Sequence, residues 1–343
     1  MRDTLTRSLA ISGLTMVLWA AAPTSTVNEL IAIVRTGLSS GQSDGSIARS
    51  LRRIKLSERL DTRVVEELES QGAGTRTVAQ LSQMQEVSRT LAPPAAPLPF
   101  KELPAPSPEE RHQVLAEARA VALDYGKSLP DFICIENVNR FVNTTGNWQP
   151  ADQLELRLSY FGQREDYKLL SLNGRPMVRS YEEVGGATSQ GEFGSLLRMI
   201  FELKSLGEFE WKHWTTLRKR PAYVFAFLVR RNHASFVLLY QAGRSGPRSS
   251  ALVGQRGFVY IDRETKSIVR IISEADDIPK DFAVQSSFTL LDYEFTNVGT
   301  RQFLLPLRAD VRMSAAGYLT RNQVEFHSYR KFSSEATITF EPH

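Results

Sequence analysis

The clearest pattern in the chain has a period of two. From Gln153 to Phe161, Leu154, Leu156, Leu158 and Tyr160 alternate with Glu155, Arg157 and Ser159. This predicts a strand with one dry and one wet face. Val324 and Phe326 alternate with Gln323, Glu325 and His327, and Ala336, Ile338 and Phe340 with Thr337 and Thr339. Further strands are expected at Phe132–Val142, Tyr167–Leu172, Phe209–Leu217, Tyr223–Val229, Ser235–Gln241, Ser287–Thr296, Leu307–Met313 and Ala336–Phe340. At their centre lies Gly257–Ile272, where Phe258–Ile261 and Ile268–Ile272 flank the polar turn Asp262–Lys266. An Asp opening such a turn can bond its own backbone. Asn173-Gly174 is a second hairpin signal. Antiparallel strands in this number must curl, because a flat sheet of this width is rare.

A period of 3.6 governs the rest. Val27, Leu30, Ile31, Val34 and Leu38 share one helical face, as do Ile47, Leu51 and Ile54. A third helix follows Asp61, and a fourth opens at Thr77. Helices this short must pack on one another. Ser107-Pro108-Glu109-Glu110 is a capping box with proline at the first helical position, leading a helix that Gly126 ends. Ser189-Gln190-Gly191-Glu192 is a second box. It precedes Phe193, Leu196, Leu197, Ile200 and Phe201, an amphipathic stripe.

Residues 92–107 are proline-rich without either period and read as a linker. Residues 1–22 carry Arg2 and Arg7, an apolar run from Leu9 to Trp19, and Ala20-Ala21-Ala22. This is the pattern of an export signal, and the run is shorter than the ~20 residues of a spanning helix. The expected organisation is a signal peptide over 1–25, a small helical module over 26–92, a linker over 93–107, and a sheet domain over 108–343 with a lid helix at 190–203. The mature protein is expected in the periplasm, or tethered to the inner membrane if the signal is not cut.

Composition changes little. The 343 residues are 42% hydrophobic and 23% charged, ordinary for a globular chain. The net charge of +4 is spread along the chain, without the continuous basic face of a nucleic-acid binder. A helix-turn-helix with Thr75, Arg76 and Thr77 facing a groove fits export poorly, so no nucleic-acid partner is expected. The single cysteine, Cys134, precludes an internal disulfide and a cysteine-based zinc site. His112, His213, His233, His327 and His343 show no ligand spacing. Walker and H-E-x-x-H motifs are missing. No catalytic residue, metal or cofactor is therefore expected. Gly185–Gly191 could hold an anion at a helix start, but a hinge with an N-cap is the simpler reading.

The stretch from about Leu129 to His343 resembles the outer-membrane lipoprotein-sorting superfamily, the LolA–RseB-like group. The hairpin Gly257–Ile271 carries the resemblance, with its strand, Asp turn, Thr, and second strand ending in Arg-Ile. The helix leading into a strand (Ser107–Val142) and the pair Leu307–Met313 and Gln323–Tyr329 fit too. The resemblance implies an α+β fold: a large curved antiparallel β-sheet, an incomplete barrel, with covering helices, here preceded by a small all-α module. In that family the hollow holds acyl chains of lipids or lipoproteins. Its wall is then expected from Leu154, Leu156, Leu158, Phe225, Phe227, Tyr260, Val311, Val324 and Phe326. Phe193, Leu196, Leu197, Ile200 and Phe201 would form the lid. The same residues could equally fill the interior. Expected partners are lipid or lipoprotein acyl chains, an envelope protein through the helical module, and peripheral contact with a membrane. The alternative is a non-catalytic envelope sensor or interaction protein with a filled core.

Overall fold

The computed structural model describes residues 24–100, 103–144, 148–177, 184, 193–241 and 246–332. The export signal, the box at Ser189–Glu192 with its glycine-rich approach, and the strand Ala336–Phe340 lie outside these residues. The chain divides into two compact units, residues 1–100 and 101–343.

The first unit holds α1 (Val27–Ser39), α2 (Asp44–Leu51), α3 (Thr62–Ser70) and α4 (Thr75–Ser88). Their apolar faces meet in one core that includes Leu30, Ile31, Leu51, Leu60, Leu68 and Leu81. A capping box opens α1: Thr26 Oγ1 accepts from the Glu29 amide, and Glu29 Oε2 accepts from the Thr26 amide. Part of the proline-rich segment lies along this unit. Asn28 donates to the Pro97 carbonyl, and Leu98 and Phe100 pack against the core.

The start of α4 is capped from another helix. Asp44 accepts from the Arg76 and Thr77 amides at 2.8 and 2.9 Å. Burial works against the Asp44 carboxylate, but hydrogen bonds from Thr77 and Arg76 prevail and lower its pKa. Thr77 is fully buried and cannot face a groove, whereas Thr75 and Arg76 stay exposed. Replacing Asp44 by Ala is expected to cost ~1–2 kcal/mol, the usual loss of a cap. Hydrogen exchange on the full chain would show it as lost protection at Arg76 and Thr77.

The second unit opens with α5 (Pro108–Ser128), which runs two residues past Gly126. Ser107 Oγ accepts from the Glu110 amide. The Glu110 carboxylate accepts from the Tyr223 hydroxyl at 2.8 Å instead of completing a box. The strands follow: β1 (Phe132–Asn143), β2 (Gln149–Phe161), β3 (Arg164–Leu172) and β4 (Arg175–Pro176). After α6 (Ser195–Phe201) come β5 (Glu208–Leu217), β6 (Arg220–Val229), β7 (Phe236–Gln241) and β8 (Arg248–Asp262). The last are β9 (Ile268–Asp276), β10 (Val284–Val298), β11 (Arg301–Ala315) and β12 (Tyr318–Lys331).

All twelve strands form one sheet of order β4-β3-β2-β1-β12-β11-β10-β9-β8-β6-β5, with β7 added to β8. Every pairing is antiparallel. The order does not return on itself, so the sheet stays open, with β4 and β5 at its ends. It nevertheless bends. Leu156 on β2 and Phe225 on β6 lie seven strands apart, yet both belong to one apolar cluster with α5 and α6. That cluster takes one face of the sheet. Val114, Ala118, Ala122 and Tyr125 of α5 join it. The Tyr125 hydroxyl donates to the Leu304 carbonyl, and the Tyr160 hydroxyl to the Gly126 carbonyl. These two bonds pin the C-terminal end of α5 to β11 and β2, and the Glu110–Tyr223 bond pins its first turn to β6.

The turn of the central hairpin explains its residue types. Asp262 Oδ1 accepts from the Glu264 and Thr265 amides and from the Thr265 hydroxyl. The same carboxylate receives a two-pronged guanidinium contact from Arg220 at 2.6 and 2.8 Å. Burial alone would raise the Asp262 pKa, but these donors lower it. An Asp and a Thr at this spacing thus close the turn and bind it to the neighbouring hairpin.

Candidate functional site

The inward positions of the sheet and the helices above them form the candidate site. Leu154, Leu156 and Leu158 come from β2, Phe225 and Phe227 from β6, Val311 from β11, and Val324 and Phe326 from β12. These eight of the nine expected wall residues share one cluster. Tyr260 does not. It pairs with Val224 and sits with Leu217, Val269 and Ile272 on the opposite face of the sheet. The inward residues of β8 are Val259 and Ile261. Phe258–Ile261 is apolar at both parities, so its alternation cannot say which face is dry.

The expected lid covers the same cluster. Leu197, Ile200 and Phe201 of α6 are buried in it, and Leu196 is half-buried against it. Phe193 precedes the helix and packs on Phe132 and Phe326 with ring centroids at 5.3 and 5.9 Å. Phe201 stacks on Phe209 of β5.

The interior is packed. None of the eight wall residues exceeds 8% exposure. Two pockets open elsewhere on the surface. One, of about 460 Å³, is lined by Lys219, Arg220, Pro221, Asp262, Arg263 and Glu264. The other, of about 570 Å³, is lined by Leu228, Arg230, Arg231, Asn232, Leu252, Asp276 and Asp277.

The interior holds more than hydrocarbon. Glu136 is only 3% exposed and lies on the inward side of β1, between Cys134 and Val138 and paired with Leu156 and Phe326. The alternation Phe132, Cys134, Glu136, Val138 contains this signal, because it sets a carboxyl in a dry series. Burial, helped by Glu136, pushes the Cys134 thiol up, so it stays protonated and unreactive. Among the described residues, no group of three or more His, Cys, Asp or Glu could hold a metal ion.

Tryptophans mark the open edge at β5. The period of two sets Trp211 and Trp214 on opposite faces. The structure sets both on the inward side, because a bulge between Trp211 and His213 shifts the register by one. Their rings meet at 5.2 Å.

No family model matches the chain, and no curated protein matches it. Solved structures similar to it include a DUF1329 family protein from Desulfovibrio piger, with 11% identity and TM-score 0.31 over 66% of this chain and 94% of the other. A LolA superfamily protein from Nitrosomonas europaea is similar with 8% identity and TM-score 0.27 over 67% and 97%. An outer-membrane lipoprotein-sorting protein domain from Vibrio parahaemolyticus is similar with 8% identity and TM-score 0.30 over 65% and 93%. At these identities and scores the likeness assigns no role to any residue.

Proposed function

We propose that this chain is an exported, non-catalytic envelope protein whose sheet unit holds acyl chains of a lipid or lipoprotein. The chains lie between the inward face of the sheet and its helices, with α6 as the lid. One observation supports this most: an apolar face, interrupted on β1 by Glu136, spans the sheet beneath two helices, and one of them has only seven residues. Magnitudes favour its displacement. Lifting α6 exposes Leu197, Ile200 and Phe201, a loss of ~1.5–3 kcal/mol each. An acyl chain brings ~0.8 kcal/mol per buried methylene, so a chain of about sixteen carbons outweighs that loss.

The signal pattern of residues 1–22 supports a periplasmic location. Among the described residues no helix is long and apolar enough to cross a membrane. A second reading, a sensor or interaction protein with a filled core and a partner on the helical unit, is favoured by the near-complete burial of the wall.

Native mass spectrometry on protein gently purified from a bacterial periplasm, before and after solvent extraction, separates the two readings. The carrier reading expects a discrete extra mass that extraction removes, and re-uptake of a fluorescent fatty acid by the stripped protein. An unliganded mass that also takes up no fatty acid leaves the filled-core reading.

A further inference from the structure

The end of the sheet at β5 and β6 is built differently from the rest of the apolar face. Its inward residues are Phe209 paired with Phe227, Trp211 with Phe225, and Trp214 with Tyr223. The facing wall on β2 is leucine. Among the described residues β5 pairs only with β6, and no described strand covers its outer side. Phe209, Trp211 and Trp214 are only half-buried. The rings are continuous: Trp211 meets Phe225 at 5.6 Å, and Trp214 meets Tyr223 at 4.3 Å. They connect an exposed edge to the buried cluster without a polar break. Phe201 of α6 stacks on Phe209 at one end of the row.

The other end is cationic. The Arg263 guanidinium lies 5.2 Å from the Trp214 ring centroid, and the Trp214 indole donates to the Pro104 carbonyl. Arg263 also lines the 460 Å³ pocket together with Lys219, Arg220, Asp262 and Glu264. Three cations there face two carboxylates. Arg220 engages both carboxylates, which leaves Lys219 and Arg263 as the exposed positive groups of the pocket. The nearby Glu110 keeps its charge while accepting from the Tyr223 hydroxyl, which Arg263 also contacts, and Lys266 is paired with Glu117.

We infer that the β5 edge is the mouth of the apolar interior, and that it admits a single acyl chain with an anionic head, a carboxylate or a phosphate. The head rests on Arg263 and Lys219 in the pocket. The chain passes over Trp214 and Trp211 and under α6 into the cluster. A bound head at a guanidinium stacked on indole gains a charge-assisted contact that a neutral head cannot make. This inference rests on the acyl-binding reading above, but it specifies a route and a head group that the reading leaves open.

The chain has four tryptophans. Changing Trp19→Phe and Trp148→Phe in the full chain makes Trp211 and Trp214 its only indoles. Bromine on an acyl chain quenches indole only at contact range. Dibromostearate and a lysophosphatidate with the same brominated chain test carboxylate and phosphate heads, and the brominated monoacylglycerol is the neutral control. Saturable quenching by the anionic probes is expected, with none from unbrominated stearate. Arg263→Gln should raise the midpoint for the preferred anionic probe about tenfold, the scale of one charge-assisted contact, and leave the monoacylglycerol unchanged. Lipid retained in native mass spectra without any quenching means that chains enter elsewhere and overturns the route. Equal shifts for charged and neutral probes overturn the head-group assignment. Absence of bound lipid removes the acyl-binding reading itself.

Discussion

Replacing Asp292 by alanine is expected to destabilise the sheet unit by ~3–5 kcal/mol, the cost of stripping one partner from a buried ion network. Asp292 is fully buried on the outward face of β10. Its carboxylate receives Arg270 at 2.5 and 3.0 Å, Arg308 at 2.7 Å and Arg218 at 3.6 Å. Arg270 is itself buried and stacks on Tyr260, the residue expected in the hollow. Arg218 sits on the β5–β6 turn with φ of 47°, and it donates to the carbonyls of Val269 and Tyr293. One carboxylate thus anchors β9, β10, β11 and the β5–β6 turn. Alanine removes the carboxylate that Arg270, Arg308 and Arg218 share, and of these Arg270 is buried. Asp292→Asn keeps the shape and is expected to retain most of the loss, since the charge matters more than the volume. Urea unfolding followed by tryptophan emission measures both variants. A loss below ~1 kcal/mol for the alanine variant would show that water reaches these arginines.

The same site sets an acid limit. Burial alone would raise the Asp292 pKa, but Arg270 and then Arg308 hold it well below the ordinary carboxylate range. A group with a depressed folded pKa stabilises fully above its unfolded value of about 3.9 and loses that contribution as pH falls through the folded one. Stability from this group should stay level between pH 7 and about 4 and then decline. The Asn variant removes that share of the acid slope.

Much of the architecture is legible wherever one face of an element is wet. The alternation of β2 and β12 and the helical stripe at Phe193–Phe201 identify elements that the structure contains, although Phe193 itself precedes α6. Legibility ends where both faces of a strand are covered. β8 carries Val259 and Ile261 on the inward side and Tyr260 on the outward side, all buried, so periodicity cannot assign them. It ends again at bulges, as at Trp211. It ends also where glycine stands for close approach instead of a turn. β8 begins nine residues before Gly257 and contains both Gly254 and Gly257, residue types that weaken a strand pattern. A Cβ on Gly254 would lie 2.9 Å from the Val229 carbonyl oxygen, so these glycines serve strand contact. The outward ion network is invisible in the sequence because its members come from distant turns and strands. Wall and core look alike for a different reason: both require apolar side chains at inward positions, and only the fit of the helices separates them.

Gly257 is accordingly the second position where a small change should have a large effect. It is the first residue of the hairpin that carries the family resemblance, and it lies within β8. Its φ is +154°, and a Cβ there would come within 1.9 Å of the Ile272 carbonyl oxygen and 2.8 Å of the Ile272 carbonyl carbon. Gly257 pairs with Ser273 on β9 and Phe227 on β6, so the strand has a neighbour on each side and cannot move away from one without disturbing the other. Relief requires the backbone of β8 or β9 to shift in the middle of the sheet. Gly257→Ala is therefore expected to cost at least ~3 kcal/mol, in the range reserved for backbone strain combined with a buried clash. Gly299→Ala provides the comparison. Its φ is +64°, and nothing lies within 4 Å of the added Cβ. It should cost only the ~1–2 kcal/mol of a left-handed alanine. If the two variants unfold at the same urea concentration, the β8–β9 pairing yields at Gly257 and the steric account of this position fails. If Gly257→Ala unfolds far earlier, the glycine is required by the approach of β9, which explains its place in the hairpin without any role in binding.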